Sequence, residues 1–206
     1  MTFNGFTEHD FDTFYIEGLD ERMDAIRERI QPKFRLLGET LADELSMELG
    51  QEMFLHIAKH ARRKVNPPND TWLSLCHDKR GYKKHPHFQV GLFDDHLFIW
   101  LAFIYELPNK QVIAQQFLDD FEQIQKLPES FVVSLDHTQK DSTPIRQVDE
   151  KTLERFRDVK KAEFLVGQQI DRKEDVLKDG KALTAHITET FQLLKPLYQQ
   201  SFQKIK

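Results

Sequence analysis

One cysteine in 206 residues rules out an intramolecular disulfide and any zinc site built from several thiolates. No run of eighteen apolar residues occurs, so the sequence offers no transmembrane helix. The stretch from Met1 to Asp20 is Phe-rich and acidic. It lacks the basic start and apolar core of a secretion signal, and the expected location is the cytoplasm. Gly and Pro, eight of each, are too few for a collagen-like chain or a flexible linker. The common catalytic signatures are missing: no GxxxxGK followed by Ser or Thr, no GxGxxG, no GxSxG and no HExxH. What is present is core material, with 39% hydrophobic residues and seventeen Phe against four Tyr and two Trp. That content argues against disorder and fits one domain at this length.

The pattern along the chain is helix, sheet, then alternation. Thr7 and Asp10 resemble a capping pair before a short helix carrying Phe11 and Phe14. Met23, Ile26, Ile30, Phe34, Leu37, Leu41, Leu45 and Leu49 repeat every three or four residues, the stripe of an amphipathic helix. Pro32 should kink that helix or restart it, and Gly50 should end it. Residues 53–62 read as strand or helix. Thr71–Cys76 reads as a strand after the loop Asn66–Asp70, and His87–Phe93 with Leu97–Tyr105 forms a hairpin about Asp94 and Asp95. The nearly all-apolar run Leu97–Leu107 predicts a strand covered on both faces. A helix at Val112–Ile124, a strand at Phe131–Leu135, a helix at Thr152–Lys161, a strand at Ala162–Ile170 and a final helix striped from Leu183 to Phe202 follow. The expected fold is a single α+β domain over residues 1–206, a largely antiparallel sheet of about six strands packed with long helices.

Charge locates the candidate site. From His56 to His87 eight basic residues face only Asp70 and Asp78, a local +6 that leaves −11 for the rest of a chain whose total is −5. A basic region on an acidic body focuses its field on anions. The candidate anion-binding set is Lys59, His60, Arg62, Arg63, Trp72, Lys79, Arg80 and Tyr82. Arginine forks suit phosphate and carboxylate, and an aromatic ring at a loop edge can stack a base. The expected ligand is a phosphate-bearing small molecule, a nucleotide or a short RNA. The overall acidity disfavours long duplex DNA, whose binding rewards extended basic surfaces. The bland alternative is that Trp72 is core and the cations are a solvated surface paired with acidic helices.

Two further readings stay open. His60, His85 and His87 could serve a small-pocket enzyme as acid, base or metal ligands acting on an anionic substrate, since His85-Pro-His87 on a strand places two imidazoles on one face. No acidic partner is fixed for them, so the metal reading is weak. Cys76 and His77 are adjacent, point to opposite faces of a strand, and are badly placed as nucleophile and base. Alternatively, the acidic helical faces or the basic segment dock a protein partner.

The phrases FDTFYIEGLDERMDAIRERIQPKF, AKHARRKVNPPNDTW and KRGYKKHPHFQVGL resemble the uncharacterised YktB-like family of Gram-positive bacilli, over essentially the whole chain. The resemblance implies a compact single-domain α+β protein of the bacterial cytoplasm. It implies no activity, substrate, cofactor or site residue.

Overall fold

The computed structural model describes residues 2–203. After the short helix α1 (Glu8–Phe11), α2 (Leu19–Ala25) runs through a π turn at Ile26–Ile30 into α3 (Gln31–Leu49). The π turn lies immediately before Pro32, whose missing amide and ring would conflict with the preceding helical turn. The chain widens there, and α3 starts at Gln31 with Pro32 in its first turn, so the run restarts at the proline as the sequence allowed. Gly50 closes α3 with φ of 65°, the left-handed conformation that glycine adopts without strain.

The sheet has seven strands: β1 (Phe54–Ile57), β2 (Thr71–Cys76), β3 (His87–Leu92), β4 (His96–Phe103), β5 (Val132–Ser134), β6 (Thr143–Pro144) and β7 (Phe164–Asp171). Their order is β1-β2-β3-β4-β7-β5-β6, with every recorded pairing antiparallel. The fold class is therefore α+β as expected, with one strand more than the sequence suggested. That strand, β6, is two residues long, inside a loop that carries no alternating pattern.

One face of the sheet is dry. Leu73, Leu75, Phe88, Val90, Leu97, Ile99, Leu101, Phe103, Phe164 and Val166 form a single cluster with apolar residues of α3 and of three later helices, α4 (Lys110–Asp119), α6 (Glu150–Asp158) and α7 (Gly180–Gln200). Alternation along each strand sends the remaining side chains to the opposite face. There Phe98, Trp100, Ala102 and Leu165 make a smaller cluster, with Trp72 and Val132 packed against it. Loops cover this second face where helices cover the first: Tyr82 and His137 lie against Trp72, and the 136–142 loop reaches Gln169 through Ser142 and Lys140. Strand β4 is buried along its whole length, as its apolar run requires.

Several boundaries moved. Within 53–62 a strand forms but ends at Ile57, and His60 adopts φ of 49°, so His56 alone of the histidines there lies on the strand. The helix expected over Val112–Ile124 is two pieces, α4 and α5 (Phe121–Gln125), parted at Asp120 where φ is −133°. Helix α7 ends at Gln200, which leaves Phe202 beyond it and 45% exposed.

Candidate functional site

Strand β1 is an edge. Ala58 donates its amide to Trp72 at 2.9 Å, which fixes the phase of the ladder and turns the amides of Leu55 and Ile57 away from β2. Close contact between Leu55 and Gly38 of α3 holds the strand in place; a Cβ at Gly38 would meet Leu55 Cδ1 at 2.4 Å. Facing this edge is the loop Asp78–His85, gathered by one residue. The Asp78 carbonyl accepts from His56 Nε2 at 3.0 Å, and its carboxylate accepts from the Arg80 amide at 2.8 Å and from His85 Nε2 at 3.1 Å. The Arg80 amide, with His85, holds the Asp78 carboxyl below its ordinary acidity range.

Between edge and loop lies a cleft of about 730 Å³ lined by Leu55–Lys59, Asp78, Arg80–His85 and Glu106. Lys83 reaches Glu106 at 3.4 Å. Among the described residues, the side chains of Lys59, Arg80 and Lys84 have no ion-pair or hydrogen-bond partner. The cleft thus joins unspent cations to outward-facing backbone amides.

The sequence-derived set divides. Lys59, Arg80 and Tyr82 line the cleft. Lys79 lies outside it, with its ammonium 6.0 Å from the Phe54 ring centre. Arg62 and Arg63 occupy an exposed turn, where Arg63 points its guanidinium at the carbonyls of Asn66 and Pro67. His60 and Trp72 belong to the second face of the sheet. Trp72 donates its indole N–H to the Tyr82 oxygen at 3.1 Å, and the His60 and His137 rings stand edge-on to it at 5.5 and 6.1 Å. Trp72 is half-buried, and neither wholly core nor a free stacking platform.

The histidines are sorted by their partners. His60 Nε2 pairs with the Thr71 hydroxyl at 3.1 Å, and burial, aided by Arg63, drops its pKa to about 4. His87 is fully buried; Nδ1 donates to the His85 carbonyl at 2.8 Å, so Nε2 accepts from Gln89 at 2.8 Å. Burial lowers its pKa to about 3, and the ring is neutral. Both of its nitrogens are occupied, and the Nε2 of His85 is taken by Asp78. The pair therefore does not offer two free nitrogens to one metal. Cys76 is buried and its pKa is pushed up to about 11, which marks an inert thiol.

Three residues outside the sequence-derived set complete the second face. His137, in the loop after β5, places Nδ1 2.7 Å from Glu163 Oε2. Glu163, just before β7 and buried, also accepts the amides of His137 at 2.9 Å and Tyr105 at 3.3 Å. Asp70, buried at the entry to β2, accepts no hydrogen bond from another described residue. Arg22 of α2 steadies the loop ahead of it by donating to the Pro68 carbonyl at 2.9 Å. One signal pointed to each acid: Glu163 is the lone charge opening an apolar strand, and Asp70 is one of two acids in the basic segment. His137 sat in a polar loop with nothing to single it out.

Asp136, His137 and Glu163 bring donor atoms within 4.8 Å of one another. Those atoms are already engaged, Asp136 by the Thr138 amide and hydroxyl and Glu163 by three N–H groups. The group is a hydrogen-bonded brace rather than an open coordination site. No helix of the described residues is long and apolar enough to cross a membrane.

Comparison with known proteins gives family and no activity. Residues 6–198 match the family described as a domain of unknown function, DUF1054. The UPF0637 protein OB1420 of Oceanobacillus iheyensis is 60% identical over 95% of this chain and 96% of its own length. The UPF0637 protein ABC2405 of Shouchella clausii is 59% identical over 98% and 96%. A UPF0637 protein of Listeria monocytogenes serotype 4a is 54% identical over 98% and 100%. The family expected from the long sequence phrases is thus the one found: the chain belongs to the DUF1054 family, whose relatives carry the name UPF0637 and no assigned function.

Proposed function

We propose that the protein binds a small phosphate- or carboxylate-bearing ligand, in the cytoplasm, in the cleft between the β1 edge and the Asp78–His85 loop. The observation that carries this reading is the set of cations without partners, Lys59, Arg80 and Lys84, around a cleft of about 730 Å³. Cations that serve only solubility need no concavity. Here they surround one whose floor offers the amides of Leu55 and Ile57, and backbone amides with lysine or arginine are the usual phosphate ligands. The cleft is too small for duplex DNA and too short for an extended basic track, so a nucleotide or a short RNA end fits better.

The test is thermal unfolding and calorimetry with pyrophosphate at low and high salt. Wild type should bind and lose affinity with salt. Lys59→Ala and Arg80→Ala should each weaken binding by about 1.5–3 kcal/mol, the scale of one charge-assisted hydrogen bond. Equal binding by the double variant would overturn the proposal.

A further inference from the structure

We propose that the β1 edge takes on an extended acidic peptide as an added antiparallel strand, whose alternate carboxylates are held by Lys59, Arg80 and Lys84. It rests on the cleft reading for these cations and adds the class of ligand: a peptide segment in which acidic and apolar residues alternate.

The two edges of the sheet are finished differently. At one, β6 is two residues long and contains Pro144, which has no amide to donate. Short strands and proline are how proteins close an edge against further pairing. At the other, Phe54–Ile57 contains no proline and no lysine, and all four residues are half-buried. Phe54 and His56 face β2 in the ladder, opposite Cys76 and Ser74, and the Ala58 amide continues that phase. The N–H and C=O groups of Leu55 and Ile57 therefore point away from the sheet. Among the described residues, these four groups have no hydrogen-bond partner.

That alternation selects the ligand. Leu55 and Ile57 lie about 7 Å apart, two rises of a strand, and each offers a donor beside an acceptor. A lone anion uses the amides but is repelled by the carbonyl oxygens between them. A second strand uses both, because it brings donors and acceptors at the same spacing. Every recorded pairing in the sheet is antiparallel, and an antiparallel strand extends that geometry unchanged.

Charge sets the side chains. The cleft runs along β1 from Leu55 to Lys59. Its two acids are already engaged, Asp78 by the Arg80 amide and His85, and Glu106 by Lys83. Lys59, Arg80 and Lys84 remain, all exposed. The Asp78–His85 loop packs on the His56 side of the strand, and α3 packs on the Leu55 side. Side chains of an added strand alternate between these two sides. Those toward the loop meet the cations and suit Asp or Glu. Those toward α3 continue the row of Leu55 and Ile57, which pack against the main core, and suit apolar residues. A second copy of this chain is disfavoured, since pairing two β1 edges brings the same cations together.

The experiment combines calorimetry with amide hydrogen exchange, read by NMR, on the full-length protein and an end-blocked pentapeptide alternating glutamate and valine. The peptide should bind, lose affinity with salt, and slow exchange at the Leu55 and Ile57 amides. Arg80→Ala should weaken it. The same peptide N-methylated at its two valines keeps every charge and loses the two amide donors that face β1. It should bind roughly tenfold or more weakly, the factor two lost hydrogen bonds carry. If the methylated peptide binds as well as its parent, or if pyrophosphate or a short RNA binds and the peptide does not, strand addition fails and the cleft reading stands. If the Leu55 and Ile57 amides become protected as protein concentration rises with no peptide present, a second copy occupies the edge and the proposal is overturned. If neither pyrophosphate nor peptide binds, both readings fail.

Discussion

The Nδ1 of His137 lies 2.7 Å from Glu163 Oε2, and the same oxygen receives the His137 amide at 2.9 Å. One buried carboxylate thus fixes both the position of a loop and the tautomer of its imidazole. Replacing Glu163 by Ala would leave the amides of Tyr105 and His137 and the His137 ring without an acceptor. Each buried donor so stranded costs about 1–3 kcal/mol, so denaturant unfolding of Glu163→Ala should show a loss of several kcal/mol. Glu163→Gln keeps an acceptor and removes the charge. It should fold, with the His137 titration moved to lower pH. An unmoved titration would mean that Glu163 does not hold the ring.

Acid stability should be governed by His60 and His87. Their folded pKa values, about 4 and about 3, lie below the ordinary 6.5. As pH falls below 6.5 the unfolded chain takes up protons that the folded protein refuses, and stability drops by up to roughly 1.4 kcal/mol per pH unit for each group. The contribution is complete above pH 6.5 and is lost progressively toward pH 4 and pH 3. Asp70 has the opposite sign, because its raised pKa favours the folded form as pH falls from about 6 toward 3.8. His137, also raised, adds stability below pH 6.5 that disappears as pH climbs through its folded value. Urea unfolding at pH 7, 5.5 and 4.5 measures the balance. His87→Gln should flatten the slope in the acid range; an unchanged slope would contradict the buried neutral state.

Lys110 is 3% exposed and donates to three carbonyls just beyond α6, those of Val159, Lys160 and Ala162, at 2.6, 3.1 and 2.9 Å. A cation at a helix C-terminus also meets the negative end of its dipole. Lys110→Met should cost about 3 kcal/mol, read as a fall in urea midpoint with no change in anion affinity. A wild-type midpoint would show that the carbonyls are satisfied by water instead.

Gly167 lies opposite Trp100 in the β4–β7 ladder, and a Cβ there would sit 1.9 Å from the Ile99 carbonyl oxygen and 3.1 Å from the indole. Gly167→Ala should destabilise by about 1–3 kcal/mol or more, as overpacking does. Gly81, in the cleft loop, has nothing within 4 Å of its Cβ position. Gly81→Ala is the control and should leave the melting temperature unchanged or slightly raised.

Long periodic segments were readable from sequence because one physical cause, burial of a face, sets each of them. The stripe from Met23 to Leu49 and the apolar run of β4 became elements with the expected burial. Pro32 marks the first turn of α3, but the π turn that joins α2 to it is a tertiary compromise with no local signature. Residues 53–62 were ambiguous because β1 is four residues long and its register is fixed by β2 and by Gly38 rather than by its own pattern. Charge density marked the cleft through Lys59 and Arg80. It also drew in Arg62, Arg63 and Lys79, because sequence proximity does not say which side of a turn a cation takes. His137 and Glu163 lie 26 residues apart and meet only through the β5–β7 pairing, which no local pattern encodes.

The most direct measurement is backbone amide chemical-shift mapping of the full-length protein during titration with pyrophosphate. The expected result is a saturable response centred on Leu55, Ile57, Lys59 and the amides of residues 80–84, reduced by Arg80→Ala. A response centred instead on the Arg62–Arg63 turn, or none at any concentration, would contradict anion binding in the cleft.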